Sequence, residues 1–392
     1  MTRLSDRIMS IKPSPTMAVT AKAAELKRQG RDIISLSVGE PDFDTPEAIK
    51  LAAIAAIEAG HTKYTAVEGT LELRQAIALK LKRDNNLDYS PKQILVSNGA
   101  KQSIYNLFGA VLNHEDEVLI PAPYWVSYPD MAILFGAKPV CIQTQQTNRF
   151  KLTPAELEAA ITPRSKIVIL NSPSNPTGVA YTKQELAELA AVLLRHPQIL
   201  ICTDDIYEHI WWLNEPFSNI VMACPELQDR TIVINGVSKS YAMTGWRIGY
   251  AAGPQEIISG MSNLQSQSTS GACSISQAAA VNALNGDQSC LKPMVDAFKQ
   301  RHDFMMEKLG EIKGFEAVDA DGAFYIFVNI QAAMLTLPDI HNDVDFSAYL
   351  LEKAEVAVVP GSAFGAEGYI RISYATSMEL LAKAMQKINA LF

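Results

Sequence analysis

Four segments of the chain place reactive side chains where strand ends could meet, three of them directly after short apolar runs. Residues 238–247, Ser-Lys-Ser-Tyr-Ala-Met-Thr-Gly-Trp-Arg, follow the run Thr-Ile-Val-Ile-Asn. A desolvated lysine here has a lowered pKa and becomes a candidate amine nucleophile, which singles out Lys239. Arg247 follows eight residues on; seen alone, the two could equally be surface cations. Residues 203–208, Thr-Asp-Asp-Ile-Tyr-Glu, follow Ile-Leu-Ile-Cys. An acidic residue at the end of a buried strand costs free energy unless it is paired. Asp204 is therefore a candidate partner for a ligand cation and Tyr207 a phenol donor one turn on, although such a pair could also cap a helix. Residues 171–178, Asn-Ser-Pro-Ser-Asn-Pro-Thr-Gly, form a turn after Ile-Val-Ile-Leu. That turn is either a plain connection to a helix or a loop that points the Asn175 amide at a bound ring or carboxylate. In residues 369–374, strand alternation puts Arg371 on the face opposite Ile370 and Ile372. A guanidinium held there suits a bidentate carboxylate contact, or a strand-edge ion pair.

Together these segments supply an amine, a carboxylate, a phenol, an amide and two arginines. A pyridoxal phosphate site needs that set. The lysine forms a Schiff base, and the acid keeps the ring nitrogen protonated so that the ring acts as an electron sink. A phenol and an amide fix the ring oxygen. One arginine neutralises the phosphate and the other holds a substrate carboxylate. Each motif is weak alone; the ordered set is specific.

The elements that must position them alternate. Short apolar runs at 94–97, 117–120, 140–143, 167–170, 199–203, 231–235 and 248–252 read as strands, several buried on both faces as in a parallel sheet covered by helices. Helical runs lie near 100–112, 153–161, 182–195 and 254–267. Another opens at Thr45-Pro46-Glu47, with Thr45 as N-cap, and closes at Gly60. The C-terminal part reads as α+β: a helix near 291–309, strands at 324–329, 356–359 and 369–374, and helices near 345–355 and 377–391. A helix at 17–29 ends at Gly30. The expected fold is α/β, with a large, doubly wound, mostly parallel sheet domain at 48–297. A smaller discontinuous α+β domain takes 13–47 and 298–392, preceded by an N-terminal arm at 1–12.

Composition narrows the function. Of 392 residues, 48% are hydrophobic, enough for a full core, and 19% are charged, below the usual ~25%. The low charged fraction suggests that part of the surface is covered. The net charge of −8 offers no basic field for a nucleic acid backbone. Five scattered cysteines without metal-ligand spacing indicate neither a disulfide frame nor a zinc site, and most are expected to be small buried hydrophobes. The first residues lack a signal-peptide run and no stretch spans a membrane, so a cytoplasmic setting is the expectation. No Gly-x-Gly-x-x-Gly follows a strand, which argues against a dinucleotide-dependent dehydrogenase. A transcription regulator built on this fold would need a DNA-binding extension, for which no room is expected before Lys12.

The chain resembles fold-type I, class I aminotransferases, and among them the aspartate aminotransferases of the common bacterial branch. The blocks that carry the resemblance run from KPSPT (12–16) to RISYATS (371–377). Between them lie VGEPDFDTP, TKYT, SNGAKQ, PYWVSYP, NSPSNPTG, DDIYE, SKSYAMTGWRIGY and VAVVPGSAFG. A further block has Asp321 where relatives have serine, before Gly-Ala-Phe-Tyr.

The resemblance implies roles residue by residue. Lys239 is the Schiff-base lysine and proton shuttle, with Ser238 beside it at the cofactor. Asp204 pairs with the ring nitrogen, Tyr207 and Asn175 with the ring oxygen, and Trp125 stacks on the ring beside the substrate. The backbone of Gly99, Ala100 and Lys101 opens a helix that suits a phosphate, and Arg247 pairs with it. Many relatives have glycine at position 100; Ala100 serves if its φ is negative, as in a first helical turn. Tyr64 reaches the neighbouring subunit's phosphate. Arg371 takes the substrate α-carboxylate, helped by Gly39 and Asn175. Residues 265–270 contain no arginine for the distal carboxylate; in the branch this chain resembles, the lysine at position 101 does that work, which implies that role for Lys101, with Thr16 and Lys12 as helpers. No metal is implied. The implied activity is transfer of an amino group from L-aspartate to 2-oxoglutarate in a homodimer with shared active sites, on dicarboxylic amino acids and 2-oxo acids. Prephenate is the alternative acceptor, as sole or second activity.

Overall fold

The computed structural model describes residues 3–11 and 15–392. Seven strands, β1 (Ile94–Ser97), β2 (Glu117–Ala122), β3 (Lys138–Gln143), β4 (Ser165–Asn171), β5 (Leu200–Asp204), β6 (Thr231–Gly236) and β7 (Gly249–Ala252), form one sheet in the order β1-β7-β6-β5-β4-β2-β3. Neighbours from β6 to β3 run parallel, and β7 is antiparallel to both of its neighbours. The apolar runs are explained by burial on both faces. Ile94 and Val96 enter one apolar cluster and Leu95 another; Val168 and Leu170 oppose Ile167 and Ile169 in the same way. Each such side chain contributes about 1.5–3 kcal/mol, so the sheet is pinned in register by both layers.

Winding reverses between β2 and β4, which lie side by side while β3 returns to the outer edge. Ligand sites in doubly wound sheets form beyond strand C-terminal ends at such a reversal. The C-terminal ends of β1, β2, β4, β5 and β6 share that edge; β4, β5 and β6 lead into three of the candidate segments, and β1 and β2 into the blocks that hold Gly99–Lys101 and Trp125. Asn171 pairs with Asp204, and Asp204 with Ile234, so these strands end level.

A second, antiparallel sheet has the order Val359–Pro360, Tyr369–Ser373, Tyr325–Asn329, Glu316–Ala317. Its apolar cluster gathers Ile34 and Leu36 from near the start of the chain with Phe298, Ile370 and Ile388 from its end, and takes in Ile206 and Tyr207 from the loop after β5.

Several sequence expectations are corrected. The strand expected at 356–359 is split: Val356–Ala357 pairs with Ile34–Ser35, and Val359–Pro360 joins the antiparallel sheet. The helix near 345–355 starts earlier, at Asp343–Tyr349, capped by Asn342, and ends in a wider turn at Leu350–Ala354. Thr45 is not the N-cap of helix Glu47–Glu58; Pro46 holds that position, and the Thr45 hydroxyl bonds Ala242 and Trp246 instead. Among the cysteines only Cys202 is buried; Cys273 is exposed and the others are intermediate. No described helix is long and apolar enough to cross a membrane.

Candidate active site

A cavity of about 360 Å³ lies at the strand-end edge, between the sheet and the C-terminal part. Lys101, Lys239, Arg247 and Arg371 all line it, so four cations gather in one cleft of a chain with net charge −8. Lys239 follows β6 and its amine donates to the Gly39 carbonyl at 2.5 Å. Burial lowers its pKa to about 8, opposed by Glu40 and Asp204 and helped by Arg247 and Arg371. It is therefore not a surface cation. Ser238 beside it is buried and lines the cavity.

Asp204 ends β5, and no helix follows for it to cap. Tyr128 donates to its Oδ2 at 2.5 Å, while Oδ1 is buried without a partner. Burial raises the carboxyl to about 6 even against the Tyr128 bond. Such a carboxylate can receive a cationic donor from the cavity. Tyr207, buried, meets the hydroxyl of Tyr325 at 2.9 Å. Its loop is tied down from behind. Glu208 accepts from the buried amine of Lys80, and from the amides of Asn85 (2.9 Å) and Asn235 (2.8 Å).

Arg371 is buried on the central part of the second sheet. Its Nη1 donates to Asn175 Oδ1 at 3.0 Å and its Nη2 to the Ser37 carbonyl at 2.6 Å, while Nε has no partner. Among the described residues no acidic side chain pairs with it, which removes the ion-pair reading. Burial lowers its pKa, and Tyr325 and Tyr207 oppose this only in part. It can therefore take an anionic ligand. Asn175 is held by the Asn171 side chain, which accepts from its backbone N–H at 2.9 Å. Asp321 locks the same loop: it accepts from Ala180 N–H at 2.9 Å and from Arg149 at 2.8 Å.

Gly99 follows β1 with φ 86°, and Ala100 opens the helix Ala100–Val111. The positive φ thus falls on glycine, and Ala100 sits in the first turn. A Cβ on Gly99 would collide with the Arg247 guanidinium, which is itself anchored by the carbonyls of Thr244 (2.9 Å) and Asn98 (3.2 Å). Free N–H groups, a helix N-terminus and a guanidinium can hold a phosphate-sized anion. Lys101 is exposed on the cavity wall, its amine 4.8 Å from the Trp125 ring centroid. Desolvation and the Arg247 charge lower its pKa. Thr16 lines the cavity, its hydroxyl buried without a partner. Lys12 lies outside the described residues. Tyr64 is not in the cavity wall and is 99% exposed.

Tyr128 and Tyr325 were missed by sequence reasoning. Each lies inside a block that carried the resemblance, but its partner is 76 or 118 residues away, and no local pattern announces that pairing.

The geometry agrees with comparisons to known proteins. An aspartate/prephenate aminotransferase of Nitrosomonas europaea is 55% identical, covering 99% of each chain. The solved aspartate aminotransferase of Rhizobium meliloti superposes with a TM-score of 0.96 at 48% identity, covering 100% of this chain and 98% of that one. The Thermus thermophilus aspartate aminotransferase, solved with maleate, gives 0.94 at 42% identity with both chains fully covered. The family model for aminotransferase class I and II matches residues 31–388, and the chain belongs to that family, on a fold-type I scaffold.

Proposed function

We propose that the protein is an aspartate aminotransferase, moving the amino group of L-aspartate reversibly onto 2-oxoglutarate to give oxaloacetate and L-glutamate, with pyridoxal 5′-phosphate as cofactor. One observation carries the reading. Arg371 is a buried guanidinium without an acidic partner among the described residues, in the cavity that Lys101 also lines. Two cations on one cavity suit a substrate with two carboxylates. The maleate held by the Thermus thermophilus relative is itself a dicarboxylate.

The residues present fit the cofactor. The unpartnered oxygen of Asp204 suits a cationic ring nitrogen. The cradle of Gly99, Ala100, Lys101 and Arg247 suits a phosphate, and a side chain at position 99 would fill it. Tyr207 and Asn175 would hold the ring oxygen, Trp125 would cover the ring, and Ser238 would flank it. When bound, pyridoxal phosphate supplies an electron sink for charge at the substrate α-carbon. Arg371 and Asn175 orient the α-carboxylate, with Gly39 beside them. Lys101, with Thr16, takes the distal one. Lys239 Nζ would accept the proton leaving the α-carbon and deliver it to the C4′ carbon of the bound cofactor; a positioned base of this kind is worth about 10²–10⁴-fold. Its pKa of about 8 leaves a usable neutral fraction near pH 7.

A second reading, prephenate as an additional or sole acceptor, is favoured by the name of the Nitrosomonas europaea relative and by the room in the cavity. We also propose a cytoplasmic homodimer in which Tyr64 completes the partner's phosphate site; its full exposure in one chain supports this. The proposed domain division is an arm at 1–12, a small domain of 13–47 with 298–392, and a large domain at 48–297. The shared apolar cluster of Ile34, Leu36 and the C-terminal residues supports it.

The test is turnover of the cofactor-loaded protein with aspartate and 2-oxoglutarate, following oxaloacetate, with prephenate replacing 2-oxoglutarate in a parallel arm. Oxaloacetate in both arms supports the dual reading. Oxaloacetate in the prephenate arm alone makes prephenate the sole acceptor. No turnover of aspartate with either acceptor sinks the assignment.

A further inference from the structure

Tyr325 lines the cavity. It opens the strand Tyr325–Asn329, paired with Ser373 two residues from Arg371, and is 0% exposed. Its hydroxyl lies 2.9 Å from that of Tyr207. Its ring centroid lies 4.6 Å from the Arg371 guanidinium, whose position is also bounded by Phe364 at 5.0 Å. A Cβ at position 39 would come within 2.6 Å of the Tyr325 hydroxyl, so only glycine lets that backbone close over it, and Gly39 is the acceptor for Lys239. One side chain therefore touches the phenol proposed for the cofactor, the guanidinium proposed for the substrate and the segment that receives the lysine.

Each phenol carries one proton, so only one of the two can donate across the gap. Among the described residues, Tyr207 is the sole hydrogen-bond partner of the Tyr325 hydroxyl. An unsatisfied buried hydroxyl is costly. Once a ring oxygen is present beside Tyr207, the arrangement that satisfies every group has Tyr325 donating to Tyr207 and Tyr207 donating to the ligand.

We infer that Tyr325 is a positioning residue: it aims the Tyr207 proton at the cofactor ring oxygen and braces Arg371 with its ring. The inference rests on the pyridoxal phosphate reading. Hydrogen bonds in such a chain polarise one another, so Tyr207 is a stronger donor with Tyr325 behind it. A donor to the ring oxygen favours the deprotonated form of the lysine-bound cofactor; weakening it favours the protonated form.

The experiment is a pH titration of the bound cofactor's absorbance in the loaded wild type, in Tyr325→Phe, in Tyr207→Phe and in the double variant. Tyr325→Phe should raise the midpoint by up to about one pH unit. The double variant should match Tyr207→Phe alone, because Tyr325 acts through Tyr207. A midpoint unchanged in Tyr325→Phe, or shifts that add in the double variant, overturns the inference. Steady-state kinetics test the second role. Tyr325→Phe keeps the ring and should leave the KM for aspartate near wild type, whereas Tyr325→Leu should raise it roughly tenfold. Equal KM values in the two variants overturn the bracing role. A wild type that binds no pyridoxal phosphate defeats the cofactor reading itself, an outcome distinct from a titrating wild type with an unshifted Tyr325→Phe.

Discussion

Tyr128 donates a 2.5 Å hydrogen bond to one carboxylate oxygen of Asp204 and leaves the other oxygen buried without a partner. The bond fixes the carboxylate plane and leaves one oxygen able to accept a further hydrogen bond. Burial outweighs the bond and lifts the carboxyl from 3.8 to about 6. In the cofactor-free protein the folded state therefore keeps its proton over a range in which the unfolded chain has lost it. Stability should fall as pH rises from about 4 to about 6, by at most ~3 kcal/mol from this group. Urea denaturation across that range should show a shallower fall in Asp204→Asn than in wild type. Asp205, raised to about 7 by burial, leaves some slope in both. Identical slopes would contradict the assignment.

Lys239 titrates at about 8, so its capture of free pyridoxal phosphate should accelerate as pH rises through 8 and then level off. An ordinary lysine would still be accelerating near pH 10. Stopped-flow absorbance of the cofactor-free protein checks this. Lys239→Ala should lose the lysine-dependent absorbance and nearly all turnover; full activity in that variant would be decisive against the mechanism.

Arg371 and Lys101 should separate by substrate. Arg371→Leu removes the guanidinium proposed to hold the α-carboxylate and should lower kcat/KM about 10–100-fold for aspartate and alanine alike, as expected for a lost charge-assisted bond. Lys101→Ala should lower it for aspartate and leave alanine almost unchanged. Comparing the two variants with both donors is sufficient. Equal losses in Lys101→Ala would reassign Lys101 to the cofactor alone.

The buried pair of Lys80 and Glu208 anchors the loop that carries Asp204 and Tyr207. Lys80→Met leaves the carboxylate of Glu208 unpaired in the interior and should destabilise the protein by about 3–5 kcal/mol. The double variant Lys80→Met/Glu208→Leu should recover a large part of that loss. Chemical denaturation of the three proteins checks it, and a double variant no more stable than the single one would refute the pairing argument.

Much of the fold was legible because apolar runs such as Ile-Val-Ile-Leu have few other fates in a chain this long. Burial on both faces is what they require, and β4 and β6 supply it. Where the reading slipped, tertiary bonds outbid local ones. Thr45 has the side chain of an N-cap, yet its hydroxyl is taken by Trp246 and Ala242, about 200 residues away. The run at 356–359 looks like one strand, but Ala357 and Val359 pair with different sheets.

The sequence by itself determined the chemical inventory: a lysine, an acid, a phenol and an amide at or just beyond the ends of apolar strands, and two arginines, one of them within a strand. Only the tertiary structure decided how each group is charged and held. Lys239 is lowered to about 8, and Asp204 is raised to about 6 with one oxygen unfilled, because of the surfaces packed around them. Tyr128 and Tyr325 became parts of the site because a helix and a strand of the second sheet, 76 and 118 residues from their partners, pack against the same cavity. Desolvation and long-range hydrogen bonding depend on neighbours in space, and those are set by packing across the sheet.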